Sequence, residues 1–282
     1  MIYIVFALCA LVCAAVNDFI FKLFALKERS RGIFFSLIGI VWLGFSFFIP
    51  YDFSNWKTFL LWGVLSGFFS ITANILLIES MALQSAGVCS TIYRLNLVPV
   101  ALIATFVFHE SLSMINWFGI AAAAGAVICF MPKNEENARS AKLGILLVVI
   151  GSLLRAGQGL TAKQAMLCDS GAGNAVSMIT AVWWIIGGVC YAFWRERSKI
   201  RMDGGMYGFG VASGAAVLGI MFFMLKSLEG GDAAIVLPIQ QISFPMTLIF
   251  SAVFLKEKIT LRKIGGVLLA IAAVLLLCCK GG

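Results

Sequence analysis

Ten apolar segments, each about as long as a helix that crosses a bilayer, follow one another with only short polar connections, and this pattern decides what the chain can fold into. A spanning helix needs about 20 mostly apolar residues, with roughly 17 to 25 tolerated. The segments are 2–26, 32–50, 57–82, 86–108, 113–131, 143–168, 173–194, 205–228, 232–255 and 259–279. The longest connections, Pro132 to Lys142 and Arg195 to Gly204, are too short for a soluble domain. Composition agrees, with 61% of the 282 residues hydrophobic and 12% charged, against about 45–50% and 25% in soluble domains. An all-α integral membrane protein is expected, with its function carried inside the bilayer.

In such a chain the net charge of +8 reports orientation rather than affinity for nucleic acid. The first segment lacks the basic n-region of a secretory leader and stays apolar to Leu26, so it reads as a span. The eight cysteines fall in spans or at a span end and read as small apolar fillers. With no CxxC spacing and a single histidine, His109, neither a metal site nor a cofactor is expected.

The two halves of the chain repeat. A shift of 141 brings Asn17 onto Gln158, Lys22 onto Lys163, Gly32 onto Gly173 and Trp42 onto Trp183. A shift of 147 brings Gly63, Ser66 and Gly67 onto Gly210, Ser213 and Gly214, then Ser80 onto Ser227 and Glu110 onto Glu257. Gly119 and Ala123 fall on Gly266 and Ala270 in the same register. Two nearly equal offsets covering five spans in order indicate duplication. The repeats are expected to be residues 1–131 and 143–282, joined by a linker at 132–142. An odd number of spans per copy inserts the copies in opposite senses, the inverted-repeat plan of secondary transporters. The paired small-xxx-small positions permit close helix approach, read as packing within one chain in preference to dimerisation, so a monomer or homodimer is expected.

These residues also carry a resemblance. His109, Glu110, Ser111, Leu112 and Ser113 followed by Gly119, and Lys256, Glu257, Lys258, Ile259 and Thr260 followed by Gly265 and Gly266, resemble the glutamate-then-glycine signature that closes each half of EamA-type drug/metabolite transporters. The motifs are short, so they speak to the superfamily rather than to a substrate. The resemblance implies ten helices in two inverted five-helix repeats around a central cavity, with the last helix of each half peripheral.

The loops on the side reached after the first span hold 14 basic residues and those on the other side two, Lys57 and Lys280. The positive-inside rule makes the rich side cytoplasmic and puts both termini outside. The resemblance implies the opposite, both termini in the cytoplasm; we follow the charges. A multi-pass protein of the inner (cytoplasmic) membrane is expected.

Five basic residues, Lys22, Arg94, Arg155, Lys163 and Lys226, and two acids, Asp18 and Glu79, fall within spans. A charge at mid-helix costs ~2.5–3.5 kcal/mol on insertion scales, so it is expected to face the bundle interior and to have a role. Arg94 and Arg155 lie near span centres and are candidates for a substrate site, since a guanidinium fork matches carboxylate or phosphate. The alternative for either is an ion pair with Asp18. Asn17, Asn74, Asn96, Gln158, Gln240, Gln241 and Tyr93, also near span centres, could fix a polar ligand or bond between helices. Lys22 and Lys163 lie about 12 Å from their span centres at 1.5 Å per residue. For these two and Lys226, snorkelling to the interface is the preferred reading and a gate the sharper one. Asp18 can meet Lys22 at i, i+4, or with Glu79 be a candidate for proton coupling. Trp42, Trp183 and Trp184 read as interhelical packing. Pro99, Pro238 and Pro245 interrupt spans 4 and 9, where broken helices would free backbone groups toward a cavity.

The function expected is secondary transport of a small anionic or zwitterionic metabolite, such as an amino acid or organic acid, by alternating access, with protons as candidate coupling ions. The partners are thus a small-molecule substrate and the lipid bilayer. The nearest alternative is a flippase for a lipid-linked substrate. An integral-membrane enzyme would need a nucleophile with its base, a metal cluster or a phosphate loop, and no GxSxG, HExxH or P-loop is present.

Overall fold

The computed structural model describes residues 2–48, 55–108, 112–131, 138–168, 172–197, 203–230 and 233–278, and among them finds helices and no strand. The helices are α1 (Ile2–Ala25), α2 (Arg31–Ser46), α3 (Trp56–Leu83), α4 (Ala86–Arg94), α5 (Leu97–Phe108) and α6 (Met114–Phe130) in the first half. The second half holds α7 (Ala138–Cys168), α8 (Ala172–Tyr191), α9 (Gly204–Gly230), α10 (Ala233–Gln241), α11 (Phe244–Leu255) and α12 (Leu261–Cys278). A π-helical turn, Ala192–Glu196, continues α8. Eight candidate spans are long and apolar enough to cross a membrane, and α2 and α6 are shorter apolar helices. With α4–α5 and α10–α11 each counted as one broken span, these are the ten expected. The second span is shorter than the sequence pattern indicated, ending at Ser46, and the sixth is longer, beginning at Ala138.

The repeat is visible in the element order. Helices α4, α5 and α6 begin at Ala86, Leu97 and Met114, and α10, α11 and α12 begin 147 residues later at Ala233, Phe244 and Leu261. Five spans per half reverse the sense of the second half, and the packing follows the resulting pseudo-twofold. The first span of each half packs on the third of the other, α1 on α9 and α7 on α3. The second spans, α2 and α8, pack on each other, as do the last, α6 and α12.

Small residues set these contacts. A Cβ built on Gly63 or Gly67 would fall 2.7 Å from Ile179 or Trp183 of α8, and one on Gly210 or Gly214 would fall 2.8 or 2.7 Å from Leu37 or Val41 of α2. Gly266 faces the Phe130 ring and Gly119 faces Leu276 and Leu277, closing α6 against α12. The paired small residues thus serve packing within the chain. Asn116 adds a bond from α6 to the Leu276 carbonyl at 3.1 Å.

The two breaks are equivalent, Leu95–Asn96 and Ile242–Ser243. Proline lacks an N–H and its ring clashes with the carbonyl four residues back. For Pro245 that carbonyl belongs to Gln241 and for Pro99 to Leu95, so each break falls just before its proline. Pro238 sits inside α10 without breaking it, contrary to the expectation that it interrupts the span.

Candidate functional site: a cavity between the halves

The first four spans of each half surround a cavity of about 250 Å³. It takes Asn17 and Asp18 from α1, Trp42 from α2, Ser66, Ser70 and Asn74 from α3, and Tyr93 and Arg94 from α4. The second half supplies Arg155 and Gln158 from α7, Ser177, Thr180 and Trp184 from α8, Met221 from α9 and Gln240 from α10. Helices α6 and α12 supply nothing and stay peripheral. Four pairs in the lining are repeat mates: Asn17 with Gln158 at an offset of 141, and Ser70 with Val217, Asn74 with Met221 and Tyr93 with Gln240 at 147. Two of these pairs keep hydrogen-bonding groups in both halves and two do not, and the charges have no charged mates: Asp18, Arg94 and Arg155 correspond to Gly159, Gln241 and Ala14.

Asp18 is 2% exposed. Its Oδ2 accepts from the Ser90 hydroxyl at 2.5 Å and lies 3.4 Å from Arg94 Nη2. Arg94 ends α4, where the helix dipole favours a cation. Its Nε is buried without a hydrogen-bond partner, and so is the Tyr93 hydroxyl beside it. Arg155 Nη1 donates to Gln158 one turn further along α7. Among the described residues no carboxylate lies within ion-pair distance of Arg155. The indoles of Trp42 and Trp184 meet edge to face with centroids 5.7 Å apart. Each is oriented by a hydroxyl across the halves: Trp42 Nε1 donates to Ser177 at 3.2 Å and Trp184 Nε1 to Ser70 at 3.0 Å. Ser213 donates to Asn17 Oδ1 at 2.6 Å, fixing that amide.

Seven of the nine candidate binding residues thus converge on one cavity, and Asp18 with them. Asn96 and Gln241 do not. Successive residues of a helix point about 100° apart at 3.6 residues per turn, so Gln241 turns away from the face that Gln240 presents, and Asn96 lies in the break beyond Arg94. Glu79 is also elsewhere, near the loop face that carries the basic residues, where it pairs with Arg31 and accepts from the Tyr191 hydroxyl at 2.6 Å. Lys22 neither snorkels nor meets Asp18. It is 7% exposed and donates to the carbonyls of Met81 and Gln84 at 2.8 Å each, with Glu257 at 3.4 Å. The end of α3 presents these carbonyls to it, and a cation is favoured there. Lys163 and Lys226 are exposed. Trp42 and Trp184 line the cavity as well as pack, while Trp183 packs on Gly67 and Phe68. His109 and Glu110 lie outside the described residues. Among the described residues no group of three His, Cys, Asp or Glu could hold a metal ion.

Sequence reasoning missed the hydroxyls Ser66, Ser70, Ser177, Thr180 and Ser90. The repeat carried one signal for them: Ser66, in the lining, is the mate of Ser213, which donates to the lining residue Asn17.

Residues 142–279 match the EamA-like transporter family. No curated protein matches the chain. Among solved structures, one described only as the crystal structure of a protein superposes with a TM-score of 0.60 over 95% of this chain and 96% of its own, at 12% identity, a likeness of fold alone. The second half of the chain is thus an EamA-like transporter domain, and the first half repeats its five-span plan, in a multi-pass membrane protein.

Proposed function

We propose that the protein is a secondary transporter for a small organic solute bearing a carboxylate or similar anionic group, alone or beside an amine, bound in the cavity between the halves. One observation carries the reading: Arg155 lines the cavity with an amide and no carboxylate for company, while Arg94 shares its charge with Asp18. The described lining thus has one positive charge in excess. An unpaired charge removed from water is costly, and an anionic solute on Arg155 offsets that cost. The volume, below the ~300–1,000 Å³ typical of drug-sized ligands, suits a small metabolite. The unpartnered Arg94 Nε and Tyr93 hydroxyl supply further donors. Asp18, as the carboxylate in the lining, is the candidate to hold an amine or a coupling proton. Binding between inverted halves supports alternating access, and the loop charges support an inner-membrane location with both termini outside.

Transport of labelled amino and organic acids into proteoliposomes tests this. Charge-assisted hydrogen bonds are worth about 1.5–3 kcal/mol, so Arg155→Gln should lower transport at least about tenfold with folding intact. Unchanged transport in both Arg155→Gln and Arg94→Gln would refute the assignment.

A lipid-linked substrate is the second reading. It is favoured by an apolar groove of about 230 Å³ among α4, α5, α6 and α7, lined by Ile92, Leu95 and Leu153, close in sequence to Tyr93, Arg94 and Arg155. Long-chain acids outcompeting short ones would support it.

A further inference from the structure

The cavity ends well short of the basic loop face, and two layers of contacts between the halves fill the gap. The first layer is aromatic. Phe21, Phe24, Phe34 and Phe35 are fully buried. Phe35 meets the cavity wall at Trp184 with centroids 5.4 Å apart, Phe24 stacks on Phe34 at 4.1 Å, and Phe24 also meets Phe209 of the second half at 6.1 Å.

The second layer is polar, and its members cross from one half to the other. Lys22 of α1 pairs with Glu257 at 3.4 Å. Arg29 Nε donates to Asp203 at 2.8 Å, with its guanidinium over the Phe209 ring at 4.9 Å. Glu196, at the end of the π-helical turn, caps α2: Ser30 donates to it at 2.5 Å and the Arg31 N–H at 2.7 Å. A carboxylate there is favoured by the helix N-terminus. Tyr191 donates to Glu79 at 2.6 Å.

The backbone aims the deepest of these contacts. Lys256 caps α11 in the left-handed region, φ 53°, which is uncommon for a residue other than glycine. It turns the chain so that the Glu257 N–H returns to the Ser251 carbonyl at 3.3 Å while the side chain reaches Lys22.

We propose that these contacts form a latch that holds the cavity shut on the basic loop face, with Lys22 and Glu257 at its core, and that the latch parts when the cavity turns to that face. The inference rests on the transporter reading but not on which solute is carried. Ion pairs and hydroxyl bonds beside aqueous loops can exchange for hydration, so they separate as a unit, whereas the cavity walls stay packed. At the other end the cavity reaches Gly173, in the first turn of α8, so access at rest is expected from that face.

The test uses the full chain with its eight cysteines replaced by alanine, monodisperse on gel filtration, carrying Ser177→Cys as a reporter in the cavity wall. Labelling by a membrane-impermeant maleimide is followed in vesicles of each orientation. With the latch intact, labelling should come from the face opposite the basic loops. Glu257→Gln should raise labelling from the basic face about tenfold, as when one of two states loses a contact that favoured it. Lys22→Arg, which keeps a cation for the Met81 and Gln84 carbonyls and for Glu257, should stay protected. The latch is overturned by unchanged labelling in folded Glu257→Gln. Arg155→Gln should keep the resting pattern, so failure of the solute assignment and failure of the latch are told apart.

Discussion

Tyr93 and Arg94 present buried donors to a cavity without using them, and that separates a binding role from a structural one. A buried hydroxyl that bonds to nothing contributes no hydrogen bond to the fold. Tyr93→Phe should therefore shift stability of the solute-free protein by less than about 1 kcal/mol, yet weaken solute binding several-fold, the worth of one hydrogen bond of ~1 kcal/mol. Melting curves in detergent and a binding isotherm for the same protein check both; a large loss of stability with unchanged binding would contradict the role. Depth in the span sufficed to find Arg94, Arg155 and Tyr93 in the sequence. It could not find the partner of Lys22, because Glu257 is 235 positions away and is brought in by the turn at Lys256. Nor could it separate Gln240 from Gln241, since which faces inward depends on where α10 stops.

At the scale of the helices, the second spans of the two halves meet where Gly32 and Gly188 face each other. A Cβ on Gly188 would fall 2.5 Å from the Gly32 carbonyl, and one on Gly32 2.4 Å from the Gly188 carbonyl. Backbone cannot swing aside as a side chain can, so Gly188→Val should cost about 1–3 kcal/mol through overpacking. Gly159 makes the control: nothing lies within 4 Å of a Cβ there, and Gly159→Ala should stabilise by about 0.4–1 kcal/mol. Thermal melts of both variants test the contrast, and equal effects would contradict the packing. Apolar length revealed the ten spans, but it missed the early start of α7, because Ala138 to Lys142 is polar and only the helical hydrogen bonds carry α7 through it. The proline rule located both breaks to within a turn. It misjudged Pro238, which stands sixth in α10 and leaves that helix continuous to Gln241.

The whole molecule is two five-span halves whose helix plan repeats and whose cavity charges do not. Repetition at offsets of 141 and 147 made that plan legible, since parity alone forces the halves to enter in opposite senses. Which face is cytoplasmic depends on the loops, and 14 basic residues against two predict a C-terminal reporter that is active outside and silent within. Strong cytoplasmic activity would reverse the orientation and, with it, the side on which the latch closes. The asymmetry of charge is what gives the cavity a preference, with Arg94 paired to Asp18 and Arg155, among the described residues, without a carboxylate partner. The most direct measurement is a thermal-shift screen of the purified protein against amino acids, organic acids, phosphorylated metabolites and quaternary amines, repeated on Arg155→Gln. Solutes bearing an anionic group are expected to stabilise the protein and to lose that effect in the variant; stabilisation by quaternary amines alone, or equally in both proteins, would contradict an anion site at Arg155.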